Sequence, residues 1–161
     1  MRPAAAGLVA ALVAVALATP PAAADAAKVK GWTAAAKAEL KRLAGGWEVF
    51  KSVGTGKEEE APNSGVLFTF KGSDITMSFG GKKEQLRIGA IDPTTDPKCI
   101  DLIETRRDKT ERVLEGVYRI DGDTLKLSFH VPEGGAKNRP TGFAKPTDPR
   151  TLVWTFNRVK E

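Results

Sequence analysis

Few side chains in this sequence could form a catalytic or metal centre. His130 is the single histidine in 161 residues, so catalysis by a histidine base and multi-histidine metal sites are essentially excluded. Segment 54–57 contains two glycines and a lysine but lacks the spacing and the following helix of a phosphate-binding loop. No nucleophile, base and orienting group can be assembled. We therefore expect no enzymatic activity, no metal site and no cofactor.

Three aspartates around a proline-rich loop come nearest to a cation site. Asp92, Asp96 and Asp101 could be drawn as a calcium cluster, because carboxylates are ligands that this ion prefers. Asp92 and Asp96 each precede a proline, however, and aspartate in such a turn commonly accepts backbone hydrogen bonds locally. We favour the turn interpretation.

Asp101 differs from the other two because it alternates with the apolar residues Ile100 and Leu102 in a predicted strand. If Asp101 faces the interior of the fold, it is a candidate ligand contact. Its buried carboxylate then needs a partner, which Arg87 or Arg139 could supply. If it faces the exterior, it needs none. The sequence leaves both orientations open.

A small-molecule site would draw its contacts from two long loops, at residues 54–64 and 131–150, which we expect at one rim of the fold. The predicted ligand contacts are Arg139 for an anionic head group, and Tyr118 and Phe143 for an apolar body. The alternative is that Arg139 and Phe143 only plug the end of a closed barrel.

One short amphipathic helix is predicted before the first strand. Thr33 provides an N-cap hydroxyl, and the glycines at 45 and 46 are a natural stop. The apolar face repeats with the period of an α-helix and consists of Trp32, Ala36, Leu40 and Leu43.

The clearest β signal is the turn at Asp121 and Gly122, because glycine readily adopts the positive φ that a tight hairpin turn needs. Apolar residues alternate on both sides of that turn, as expected for two antiparallel strands. Alternation predicts eight strands in all, at about residues 46–53, 65–71, 74–79, 83–90, 99–104, 112–120, 124–130 and 151–159. The segment between 54 and 60 is predicted to be a loop.

Eight short antiparallel strands with one helix fit a sandwich or an up-and-down barrel. The barrel is favoured because no strand carries the charges and prolines of an unprotected edge, and because the first and last strands could pair. We therefore predict a mainly β fold, an eight-stranded antiparallel up-and-down barrel with one short N-terminal helix. Its interior would hold either one small apolar ligand or its own rings, namely Phe68, Phe70, Phe79, Tyr118, Phe129, Trp154 and Phe156.

The N-terminus predicts export. Residues 1–24 contain one arginine, an apolar run and three alanines before an acidic residue, which is the pattern of a cleaved secretory signal peptide. Residues 25–44 then form a linker and the short helix, and residues 45–161 form the barrel domain. We expect a soluble exported protein, periplasmic or secreted, without a stable membrane anchor.

The charge pattern limits the expected classes of binding partner, and the cysteine content limits disulfide formation. Without residues 1–24 the formal net charge falls by one from +5, because Arg2 is lost, and lysines and arginines are interleaved with acids. Nucleic acid is therefore not an expected partner. Cys99 is the single cysteine, which excludes an internal disulfide, and we predict that it packs in the core of a monomer.

Five short motifs occur in an order that resembles a known family. They are Gly45-Gly46-Trp47, Asp92-Pro93 through Pro97-Lys98 before Ile100-Asp101-Leu102, Gly116-Val117-Tyr118, Asp121-Gly122-Asp123-Thr124-Leu125, and Arg139-Pro140 with Phe143. Over about residues 40–160 the chain resembles a lipocalin-like domain family of small exported bacterial proteins that is abundant in planctomycetes.

The resemblance implies a calycin-type barrel, in which a tryptophan at the start of the first strand packs across the barrel floor under an arginine of the last strand. The matching residues here are Trp47 and Arg158, and both would be structural; such a contact contributes about 0.5–2 kcal/mol. The expected function is binding of a small apolar or amphipathic ligand in the barrel. The alternative is a structural module with a filled barrel that binds an unknown protein.

Overall fold

The structure, a computed structural model, describes residues 31–54, 58–60, 64–132 and 138–160, and of residues 58–60 only the backbone. The predicted signal peptide, residues 1–24, lies outside the described residues. So do parts of the two long loops predicted to form a rim.

Helix α1, Ala34–Leu43, precedes the first strand as predicted. Thr33 caps it, since its hydroxyl oxygen accepts a hydrogen bond of 3.1 Å from the backbone nitrogen of Ala36. The helix ends before Gly45, whose φ of +109° suits glycine. Its buried residues are Ala36, Glu39, Leu40 and Leu43. The predicted apolar face is present, and it includes the unexpected Glu39.

The described residues form nine strands, and eight of them correspond to the predicted ones. They are β1 Gly45–Val53, β2 Glu58–Glu60, β3 Leu67–Lys71, β4 Asp74–Phe79, β5 Lys82–Asp92, β6 Lys98–Thr105, β7 Glu111–Asp121, β8 Thr124–His130 and β9 Thr151–Arg158. Strand β2 corrects the prediction of a loop between 54 and 60. Three glutamates carry no apolar alternation, so only the backbone pairing of β2 with β1 reveals this strand.

Eight of the strands close into an antiparallel barrel, which confirms the predicted fold class. Strand β1 and then β3 to β9 follow one another in chain order, each hydrogen-bonded to the next. Strand β9 returns to pair with β1, from Trp47 opposite Arg158 to Val53 opposite Val153. Because β9 occupies one edge of β1, the short β2 shares the other edge with β3.

Two tight turns have the glycine geometry that their sequences predict. Gly122 has a φ of +55° in the turn that joins β7 to β8. Gly80 and Gly81, between β4 and β5, have φ values of +53° and +76°, as a two-residue hairpin with two left-handed residues requires.

Aromatic side chains fill much of the barrel interior. The rings of Phe68, Phe129, Trp154 and Phe156 pack edge to face, with centroids 5.1–6.1 Å apart. Phe79 is the exception among the predicted interior rings, because 59 % of it is exposed. It lies opposite Lys82 at the last pair before the β4–β5 turn, beyond the final row of core side chains.

The two ends of the barrel are covered differently. At the helix end, α1 lies against the start of β1, the end of β9 and the β7–β8 turn. The open end carries the β4–β5 and β6–β7 turns, the end of β1 and the start of β9. No helix within the described ranges is long and apolar enough to cross a lipid bilayer.

Candidate functional site

Trp47 and Arg158 seal the helix end. Trp47 is fully buried, and its Nε1 donates a hydrogen bond of 2.7 Å to the carbonyl oxygen of Leu43. The guanidinium carbon of Arg158 lies 4.0 Å from the centroid of the Trp47 ring. Arg158 also donates to the carbonyl oxygens of Arg42 at 2.8 Å and Ala44 at 2.9 Å. The pair expected from the resemblance is therefore present, and it satisfies carbonyl groups that a helix C-terminus leaves unpaired.

A buried carboxylate joins the helix to the barrel. Glu39 is 6 % exposed and accepts hydrogen bonds from Lys98 at 2.9 Å, Arg42 at 2.7 Å and the Tyr118 hydroxyl at 3.0 Å. Burial alone would raise the pKa of Glu39, but these three donors outweigh it and hold that pKa below its ordinary value. Sequence reasoning missed Glu39, although it lies on the helix face defined by Ala36 and Leu43.

Tyr118 lies inside the barrel at the helix end. Burial raises the pKa of its hydroxyl, and the neighbouring carboxylate of Glu39 raises it further. The hydroxyl is thus held protonated as a hydrogen-bond donor.

Asp101 faces the exterior of the barrel wall, where Arg139 binds it. Arg139 Nη2 lies 2.7 Å from Asp101 Oδ1, while Nη1 donates to the carbonyl oxygens of Gly116 at 2.7 Å and Ile100 at 3.3 Å. Glu115 Oε1 lies 3.7 Å from Arg139 Nη2. Burial would lower the pKa of Arg139, but the bond to Asp101 outweighs this effect and raises it. Of the two orientations that the sequence left open for Asp101, the outward one is therefore the one observed.

Of the two arginines proposed as partners of Asp101, Arg139 is the one that binds it. Arg87 Nη2 instead donates to both carboxylate oxygens of Glu111 at 3.0 Å. The neighbouring Gly116 has no room for a side chain, because a Cβ there would lie 2.7 Å from the carbonyl oxygen of Ser128. That close approach explains glycine at this position.

The predicted ligand contacts do not converge. Phe143 packs beside Arg119, with the guanidinium carbon 5.5 Å from the ring centroid, whereas Arg139 is held on the outer wall and Tyr118 inside the helix end. Arg139 therefore does not plug the barrel either. Parity along the strands could not place residues of the connecting segment, because their position depends on how that segment crosses the sheet.

The proline-rich loop is stabilised by hydrogen bonds within its own turn. Asp92 Oδ1 accepts hydrogen bonds from the backbone nitrogen of Thr94 at 2.9 Å and from its hydroxyl at 2.6 Å, and these bonds lower the pKa of Asp92. Asp96 is exposed and lies 3.9 Å from Arg119. The described residues contain no group of three or more potential metal-ligating side chains.

His130 and Cys99 lie on the barrel wall. His130 is buried, with Nδ1 3.3 Å from the hydroxyl oxygen of Thr151 and 3.7 Å from Asp148. The nearby Ser128 hydroxyl has no hydrogen-bond partner among the described residues, so no base contacts it. Cys99 is half-buried and forms no disulfide. It lies outside the main apolar core, although it was predicted to pack there.

Apolar side chains come within reach of solvent at the open end. Eight partly buried residues pack against the core, and two of them, Trp32 and Ile120, lie at the helix end. The other six form what we call the apolar ring of the open end: Val66, Met77, Leu86, Val131, Leu152 and Trp154. The interior is therefore less completely covered on this side.

An ion pair lies in the mouth of the barrel, which is the opening at its open end, beside the apolar ring. Glu104 and Arg112 continue the inward alternation of Leu102 and Leu114, and they face each other across β6 and β7. Arg112 Nε donates to Glu104 Oε2 at 2.7 Å, and Nη2 contacts the same oxygen. Both side chains are about a quarter exposed.

A cleft of about 710 Å³ opens between β5 and β6, where their pairing ends at Leu86 opposite Glu104. The side chains that line it are Lys82, Lys83, Glu84, Gln85, Glu104, Thr105, Arg106 and Arg107. Within the described part of the chain, none of its four cations has a carboxylate partner. Glu104 is neutralised by Arg112, so the cleft carries a net positive charge.

A smaller groove of about 260 Å³ lies at the helix end, between the proline-rich loop and the end of β7. Its lining includes Tyr118, which is buried and already hydrogen-bonded to Glu39. The open end, with its apolar ring and cationic cleft, is therefore the candidate site. Comparison with known proteins finds no match to this chain among family models, curated proteins or solved structures.

Proposed function

We propose that this protein is a non-enzymatic binding protein that takes a small amphipathic anion at the open end of the barrel. The apolar body of the ligand contacts the apolar ring, and its head group lies in the cationic cleft. The observation that carries this proposal is their adjacency, since Leu86 belongs to the ring and pairs with Glu104, which lines the cleft.

The free energy of such binding has two sources. Covering the exposed parts of Met77, Leu86 and Trp154 removes apolar surface from water, at about 25 cal/mol per Å². The anion meets Lys82 and Arg106 without displacing a carboxylate from either. An exposed charge contact of this kind contributes about 0.2–1 kcal/mol.

The setting of this activity is also a proposal. The pattern of residues 1–24 supports export, and the motif order together with the barrel supports membership of the lipocalin-like family. The intact mass of protein recovered from the periplasm or medium tests the first point. A mass that includes Met1 would contradict export with cleavage.

A second candidate function is that of a protein-interaction module with a filled barrel. The observation in its favour is the edge-to-face packing of Phe68, Phe129, Trp154 and Phe156, which occupies the middle of the interior. On this alternative the open end binds no small molecule.

Calorimetric titration with dodecanoate below its critical micelle concentration separates the two candidates. We expect saturable one-to-one binding with quenching or shift of Trp154 fluorescence, and weaker binding of a neutral alkyl glucoside of equal chain length. The double variant Lys82→Gln/Arg106→Gln should weaken dodecanoate binding about fivefold to tenfold.

The matched control is Lys41→Gln/Lys71→Gln, which removes two exposed cations from the helix end. It should leave dodecanoate binding unchanged, because those charges lie at the opposite end of the barrel. No saturable binding in the wild type, or equal losses in both double variants, would overturn the proposed site and favour the interaction module.

A further inference from the structure

The β4–β5 turn presents an aromatic ring to solvent at the open end. Phe79 is the most exposed large apolar residue in the described part of the chain, with 59 % of it accessible. It occupies the last pair of β4 and β5, opposite Lys82, so its ring stands at the tip of a tight glycine turn. The packed core does not need this ring, because the last interior residue of β4 is Met77.

Five exposed cations lie beside the turn that carries this aromatic ring or on the neighbouring turn. Lys82 and Lys83 follow Phe79 directly across its turn, and Arg106, Arg107 and Lys109 belong to the turn between β6 and β7. The turns are adjacent because β5 and β6 pair up to Leu86 opposite Glu104. We call Phe79 and these five cations the basic rim.

The cations of the basic rim are unpaired, unlike many others in the molecule. Arg87, Arg112, Arg139 and Arg158 each contact a carboxylate, whereas none of the rim cations does so among the described residues. Two acids lie near these cations: Glu84 follows Lys83 in β5, and Asp108 accepts hydrogen bonds from Thr110 within the β6–β7 turn. The rim therefore carries a net positive charge.

The five rim cations lie on one side of the mouth. Strand β2 brings three glutamates to the other side of the open end, beside the end of β1. A partner attracted by the basic rim would therefore approach over the β4–β5 and β6–β7 turns. An aromatic ring at the tip of a basic turn suits a surface that is anionic outside and apolar beneath.

We propose that the basic rim docks onto an anionic lipid bilayer, with Phe79 entering the interfacial layer and the five cations contacting the head groups. Charge complementarity selects the occupant, and the exposed ring distinguishes a bilayer from a purely ionic partner. The inference rests on the proposed function, because the same rim borders the mouth that would take an amphipathic anion from the bilayer. Docking in this orientation places the apolar ring of the open end next to the lipid.

Sedimentation with vesicles tests the docking surface. The protein should bind vesicles that contain phosphatidylglycerol and should not bind pure phosphatidylcholine, and added salt should reduce the bound fraction. Lys82→Gln/Lys83→Gln should lower the partition coefficient about thirtyfold. Phe79→Ala should lower it about tenfold without changing the thermal midpoint, since the ring is exposed.

Two control variants at the helix end match these changes. Val159→Ala removes an exposed apolar side chain, and Lys41→Gln/Lys71→Gln removes two exposed cations. Both should bind phosphatidylglycerol vesicles like the wild type. Equal losses in control and rim variants, or binding to single-stranded DNA in place of vesicles, would overturn the docking proposal.

Dodecanoate titration of the same variants separates failure of the docking from failure of the proposed function. Phe79→Ala should keep dodecanoate binding while its partition coefficient for vesicles falls about tenfold. Dodecanoate binding without any vesicle binding would overturn the docking and support the mouth site. Vesicle binding without dodecanoate binding would support the rim surface and overturn the proposed function.

Discussion

The two ends of this barrel use the same kinds of side chain for different purposes. At the helix end, several charged groups have partners in other elements: Arg158 stacks on Trp47, and Glu39 joins helix α1 to Lys98 and Tyr118. At the open end, Lys82, Lys83, Arg106 and Arg107 remain exposed and unpaired among the described residues. Partly buried apolar side chains are also more numerous at the open end, where six of them form the apolar ring, than at the helix end, where Trp32 and Ile120 lie.

This difference indicates that the helix end mainly stabilises the fold and that the open end is the place for binding a ligand. A charge that already has a partner must lose it before it can bind a ligand, so paired groups mainly stabilise the fold. Exposed, unpaired cations beside apolar surface contribute little to folding and can contact a ligand at low cost. Substitutions at the helix end should therefore lower the free energy of unfolding, and those at the open end should alter binding.

The largest expected effect comes from Trp47. Trp47→Ala should lower the free energy of unfolding by about 3–5 kcal/mol, because it deletes a fully buried indole. Trp154→Ala, at the open end, should lower the free energy of unfolding by about 2 kcal/mol, because this indole is only partly buried and buries less apolar surface than Trp47 does. Urea denaturation followed by circular dichroism measures both values. Equal losses would remove the energetic contrast between the ends.

Glu39→Gln should lower the free energy of unfolding by about 2–3 kcal/mol at neutral pH, because Lys98, Arg42 and Tyr118 lose a charged acceptor. Glu84→Gln at the open end should change it by less than about 0.5 kcal/mol.

The contribution of Glu39 should also depend on pH. The pKa of Glu39 is lowered in the folded protein, so its stabilising effect is fully present above its ordinary pKa of 4.5 and is lost as the pH falls through the folded value. The difference in unfolding free energy between the wild type and Glu39→Gln should therefore shrink below about pH 4.5. A difference that stays constant down to pH 2 would contradict the role of the ionised carboxylate.

Arg139→Ala should lower the free energy of unfolding by about 1.5–2 kcal/mol, because Asp101 and two backbone carbonyl groups lose their donor. Dodecanoate binding should stay unchanged, since this guanidinium lies on the outer wall. Arg119→Ala, which removes a mostly exposed guanidinium, is the stability control. Loss of dodecanoate binding in a stable Arg139→Ala protein would restore the role that sequence analysis predicted for Arg139.

The smallest expected effect on stability is that of Phe79→Ala, within about 0.5 kcal/mol of the wild type. The ring is exposed, so its removal uncovers little of the core. A thermal midpoint several degrees lower would show that Phe79 packs into the mouth, and the open end would then resemble the helix end.

Much of the fold follows from local patterns. Alternation of apolar residues predicts eight of the nine described strands, because every long strand has one face on the core. The Thr33 cap, the stop at Gly45 and the hairpin glycine at Gly122 follow from single-residue conformational preferences. Strand β2 is missed because three consecutive glutamates carry no apolar alternation.

The candidate site is predictable only in part. Strand parity left the orientation of Asp101 open, and the structure turns it outward to Arg139, a residue 38 positions away in the chain. The unpaired state of Lys82 and Arg106 is likewise invisible in a sequence where acids and bases are interleaved.

The sequence by itself determined eight of the nine described strands, the helix and their order, because these depend on periodicity and short-range geometry. The contact between Trp47 and Arg158 was expected only from the family resemblance. Tertiary structure alone decided which charges are paired, which apolar side chains remain accessible and where Arg139 lies on the outer wall. These properties depend on distances between residues far apart in the chain, and such distances exist only once the barrel has closed.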